Sequence, residues 1–181
     1  MLSTRHPALS LLALSLFPAF SYGQFQVTNL NDSGAGSLRS AIDEANAASG
    51  SATITFNVSG GGTLILASML PVLTNTNGIS IDGSNGGSGG IVINGGSTSA
   101  TTGDRVFFVG VSSDIAGRTP TLGTVWSISN LTIAGGNARG GAGGAGGSDD
   151  YSGGGGGAGM GGGVFLNAGT LNLSNVSFTH N

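Results

Sequence analysis

Two spacings of apolar residues divide the chain. Leu38, Ala41, Ile42 and Ala45 recur at i, i+3, i+4 and i+7, which gathers them on one face of a helix, while Arg39, Asp43 and Glu44 lie elsewhere on it. Ser37 stands at the N-cap position, and the helix is expected to end near Asn46 to Gly50. Ahead of it, Gln24 to Asn29 alternates as a short strand, followed by the dense turn signal Asn31 to Gly36. From residue 52 onward apolar residues are mostly two apart, the period of a strand with one buried face. The pattern predicts strands near Thr53 to Asn57, Thr63 to Leu66, Ile79 to Asp82, Ile91 to Asn94, Val106 to Val109, Val125 to Ile133, Val164 to Asn167 and Leu171 to Phe178.

A repeat runs through the later strands. Ile128-Ser129-Asn130-Leu131-Thr132-Ile133 matches Leu173-Ser174-Asn175-Val176-Ser177-Phe178, 45 residues further on. In both copies the alternation breaks at Ser-Asn, where apolar residues are three apart, so a bend joins two short strands. Parallel stacking at about 4.8 Å would set Asn130 over Asn175 and let their amides hydrogen-bond as a structural ladder. Between the copies, residues 135–163 contain 17 Gly among 29 positions. That stretch has few side chains to bury and much backbone freedom to lose, so it reads as a loop projecting from the repeat.

These patterns predict an all-β protein, a right-handed parallel β-helix (solenoid) with a short N-terminal capping strand and helix. Three regions follow: a signal peptide over 1–23, a cap over 24–50, and parallel β-helix coils over 51–181. The chain stops at Asn181, on the end of a strand with no closing cap, which suggests an N-terminal fragment of a longer molecule.

Composition narrows the function. Of 181 residues 37 are Gly, none is Cys and none is Lys. Without Lys, and with Arg only at five scattered positions, the chain has no electrostatic footprint for nucleic acid. A disulfide framework and thiolate metal sites are excluded as well. At the front, Arg5 and His6 precede the uncharged run Ala8 to Phe20, broken by Pro18, and Ser21-Tyr22-Gly23 puts small residues before a cut between Gly23 and Gln24. The rival reading, a membrane anchor, needs roughly 18 apolar residues, and this run has 13. The mature chain is therefore expected to be exported, with no membrane-spanning segment.

Val27 to Ile42 (VTNLNDSGAGSLRSAI) followed by Ala52-Thr53-Ile54-Thr55-Phe56 resembles the opening of many bacterial surface proteins with right-handed parallel β-helices. Gly161-Gly162-Gly163-Val164 and Phe178-Thr179-His180-Asn181 are similar to the paired GGA[ILV] and FxxN elements of polymorphic outer-membrane and autotransporter passengers, with Gly163 in place of Ala. The resemblance implies a surface-displayed or secreted passenger with a pectate-lyase-like superhelix, in the outer membrane or outside a bacterial cell.

Candidate chemistry is sparse. Asp82, Asp104, Arg105, Asp114 and Arg118 are of the type that polysaccharide-cleaving sites use, but Asp82-Gly83 is a turn pair and Asp104-Arg105 are adjacent, so a solvated-surface reading is favoured. Asp149 and Asp150 could hold calcium, yet Ser148 occupies the sixth position of the nearest approach to a G-G-x-G-x-D repeat. His6 and His180 stand alone, and Trp126 in a strand favours packing over sugar contact. No catalytic, cofactor or metal residue is therefore assigned. The sequence suggests a structural or adhesin-like passenger that meets an extracellular ligand, a polysaccharide or a host surface. The alternatives are a polysaccharide lyase or glycoside hydrolase with downstream active coils, and an envelope protein with an uncleaved anchor.

Overall fold

The computed structural model describes residues 23–96, 105–112, 119–141 and 157–181. In chain order these form β1 (Gly23–Val27), α1 (Leu38–Ala47), β2 (Ala52–Phe56), β3 (Gly62–Ile65), β4 (Ile79–Asp82), β5 (Ile91–Asn94), β6 (Phe107–Val109), β7 (Val125–Ala134), β8 (Val164–Leu166) and β9 (Thr170–Thr179). The signal segment up to Tyr22 lies outside the described residues.

The right-handed β-helix expected from the sequence is corrected by the strand order. Seven strands form one parallel half-barrel sheet in the order β1-β2-β4-β7-β5-β3, with β9 also paired to β7, and β6 and β8 form a separate parallel pair. A solenoid needs coils of like length whose strands fall on separate walls. Here the chain returns to the sheet after unequal intervals: Gly23 pairs with Ala52, Ala52 with Ile79, Ser80 with Ser127, and Ser127 with Asn172. The bend in β7 then joins the two halves. Its first part pairs with β4 and its second part with β5, so one bent strand makes a single sheet of what would have been two walls.

The concave side holds one apolar cluster. Alternation puts Ile54, Ile81, Ile128 and Ile93 inside and their neighbours outside, and each of the four is fully buried. Trp126 and Phe107 are the bulkiest members apart from Phe56. Helix α1 covers the cluster beside β1 with Leu38, Ala41, Ile42 and Ala45, all buried. Ser37 caps the helix, its Oγ accepting from the Ser40 amide at 3.2 Å and donating to the Gly34 carbonyl at 2.7 Å. At the other end the buried Asn75 amide donates to the carbonyls of Ala45 and Gly50 at 2.7 and 2.9 Å, satisfying groups that a helix terminus leaves open. Arg39 ties the helix outward: it donates to Asp32 Oδ1 at 2.8 Å, to the Met69 carbonyl at 2.7 Å and to the Ser68 carbonyl at 2.9 Å.

The Gly-rich stretch is described only at its flanks, residues 135–141 and 157–163. These run side by side, with the Gly157 amide donating to the Gly141 carbonyl at 2.9 Å.

Candidate binding face

Strand alternation and register together order the convex side of the sheet. Gln24, Thr53, Ser80, Ser127 and Asn172 fall in one column across β1, β2, β4, β7 and β9, and Gln26, Thr55, Asp82, Ser129 and Ser174 in a second. Neighbours within a column are about 4.8 Å apart, and the columns are separated by two residues along each strand, about 6.6 Å. Ser127 Oγ donates to Ser80 Oγ at 2.8 Å, and Ser129 Oγ to Asp82 Oδ1 at 3.3 Å. The first column floors a shallow groove of about 240 Å³ whose polar lining is Ser51, Thr53, Asn77, Ser80, Ser127 and Asn172. Thr53 and Asn172 keep their side-chain hydrogen-bonding capacity for solvent or a ligand. The single ionisable group of the two columns is Asp82.

Asp82 is the foot of the asparagine ladder. Asn130 and Asn175 adopt the left-handed conformation, with φ of 56° and 51°, which Asn tolerates better than most residues. Each bends its strand and turns its amide along the stack. Asn130 Nδ2 donates to Asp82 Oδ1 at 2.8 Å, and Asn175 Nδ2 donates to Asn130 Oδ1 at 3.0 Å. Desolvation raises the Asp82 carboxyl pKa, but hydrogen bonds from Asn130, Ser84 and Ser129 outweigh it and hold the group below the ordinary aspartate value. Sequence reasoning placed the two asparagines and missed their acidic foot. The available signal was the alignment of Ile79-Ser80-Ile81-Asp82 with Trp126 to Ser129, obscured by the long insertion between them.

Compared with protein-family models, curated proteins and solved structures, the chain matches none. Its reading therefore rests on its own residues.

The other candidates separate by place. Arg105 donates to the Gly161 and Met160 carbonyls at 2.9 and 2.6 Å and lies 4.6 Å from the Phe165 ring centroid and 5.4 Å from that of Phe108. It pins the end of the Gly-rich stretch to β6 and β8. Asp104, Asp114, Arg118, Asp149, Asp150 and Tyr151 lie outside the described residues. Trp126 is 1% exposed and packs under Gly169, leaving no ring face for a sugar; its Nε1 has no hydrogen-bond partner among the described residues. Gly23 and Gln24 open β1, where the Gly23 amide donates to the Ser51 carbonyl at 3.1 Å. Among the described residues no three His, Cys, Asp or Glu side chains gather as metal ligands, and no helix is long and apolar enough to cross a membrane.

Proposed function

We propose that this chain is an exported structural or adhesin-like protein, secreted or held at a bacterial surface, that meets its ligand through the polar face of its sheet. The observation that carries the reading is the pair of in-register columns of Thr, Ser, Asn and Gln on the convex face. Such a surface offers closely spaced donors and acceptors with little charge, which suits a neutral polyhydroxylated partner such as a polysaccharide better than a phosphate polymer. The signal-like front and the resemblance of Val27 to Ile42 to bacterial surface passengers support export.

The test is retention of the purified chain on insoluble neutral polysaccharides, compared with Ser127→Arg and Thr53→Arg, whose long charged side chains would cover the groove. The parent chain is expected to bind and both variants to lose retention while unfolding at the same temperature. Equal retention by all three would sink the assignment of this face. Recovery of an intact Met1 from exported material would refute a cleaved signal.

A further inference from the structure

We infer that the free edge of β9 is a docking site for an extended peptide segment that pairs parallel to it and places a side-chain amide donor opposite Asn175. This rests on the edge itself and does not depend on the polar-face reading. Residues Thr170–Thr179 pair with β7 on one side only among the described residues. No charged residue and no Pro interrupts them, so the edge lacks the usual features that blunt unwanted strand pairing. On its core-facing side Leu173 and Phe178 remain 46% and 48% exposed, although their partners Ile128 and Ile133 are fully buried.

The ladder states what the incoming strand must carry. Every step runs the same way: Asn130 donates to Asp82 and Asn175 donates to Asn130, which leaves Asn175 Oδ1 as the open acceptor at the top. A strand in the same register would bring a side-chain amide to this oxygen and apolar residues over Leu171, Leu173, Val176 and Phe178. The β9 sequence meets that description, because it already stacks on β7 in this way. A carboxylate at the amide position would instead face an acceptor.

The experiment uses the full chain and an acetylated, amidated peptide copying Thr170 to Asn181, with a second peptide carrying Asn175→Asp. Hydrogen exchange at the β9 amides and titration by fluorescence anisotropy report binding, and a nitroxide on the peptide N-terminus reports direction. Saturable protection of β9 is expected, with line broadening near Thr170 rather than Thr179. Binding should weaken about tenfold with the Asp peptide, the size of one hydrogen bond lost to a like acceptor. Equal affinity for both peptides, broadening near Thr179, or no protection at β9 would overturn the proposal. Protection that rises with protein concentration in the absence of peptide would overturn it as well, since the occupant would then be a second copy.

Discussion

The two ends of the sheet solve the same problem differently. At β1, helix α1 lies over the apolar side and removes Leu38 and Ile42 from water together with the strand residues beneath them. Each such burial contributes about 1.5–3 kcal/mol. Arg39 and Asp32 then bind the helix, the preceding turn and the segment at Ser68 and Met69 into one unit. At β9 the same alternation of apolar and polar residues ends in water, with Leu173 and Phe178 half exposed. The contrast teaches that an apolar stripe specifies a place to pack and leaves open what packs there. Local helix-forming sequence supplies the cover at one edge, whereas the other edge offers a template.

The strongest challenge to this comparison is a matched pair of truncations. Ile42→Ala, at a site with no exposure, is expected to cost about 2–5 kcal/mol. Leu173→Ala at the open edge is expected to cost less than about 1 kcal/mol. Urea unfolding of both would erase the distinction between the edges if the two losses proved equal.

Next in size is the tie that closes the covered end. Arg39→Met removes the donors of two backbone carbonyls and of Asp32, with an expected loss of about 1–3 kcal/mol. Arg39→Lys should recover only part of it, because one ammonium cannot reach the same spread of acceptors. Full recovery by Lys in thermal unfolding would show that charge alone matters there.

The ladder runs toward the open edge and can be probed through its backbone. Asn130→Ala should cost about 1–2 kcal/mol for the left-handed conformation in addition to the lost amide contacts. Asn130→Gly keeps the bend without strain, so it isolates the amide contribution. If Ala and Gly unfold alike, the positive φ at this position carries no stability.

The smallest effect is the response to acid. Desolvation raises the Asp32 carboxyl, but the Arg39 and Ala67 hydrogen bonds and the Arg39 charge outweigh it, so Asp32 and Asp82 are both held below the ordinary aspartate value. A depressed folded-state pKa gives stability that is complete above the unfolded value of about 3.9 and lost as pH falls through the folded one. Stability is therefore expected to be flat from neutral pH to about pH 5 and to decline below about pH 4. Asp82→Asn should reduce the slope of that decline, and an unchanged slope would remove Asp82 from the account.

Much of the local structure was legible. The i, i+3, i+4, i+7 spacing and Ser37 mark the helix and its cap, and both are where the sequence places them. The Ser-Asn break marks the two left-handed residues, because an apolar spacing of three inside a strand requires a turn of the backbone. The solenoid was not a safe extension of this. A repeat of 45 residues reveals which two strands resemble one another, and Ile128 does pair with Leu173, but it does not reveal how the intervening strands close. The polar columns were equally hidden, since Thr53, Ser80 and Ser127 are ordinary strand residues until register aligns them.

By itself the sequence determined the elements: one amphipathic capped helix, strands with one apolar face, asparagine bends, and a surface with little charge. These depend on sterics and side-chain period within a few residues, so they are written locally. Only the tertiary structure decided that β7 joins β4 and β5 into one sheet, that Arg39 reaches Ser68 and Met69, and that Asp82 anchors the asparagines. Those partners lie tens of residues away, and which strand returns beside which depends on loop closure and shared burial across the whole chain.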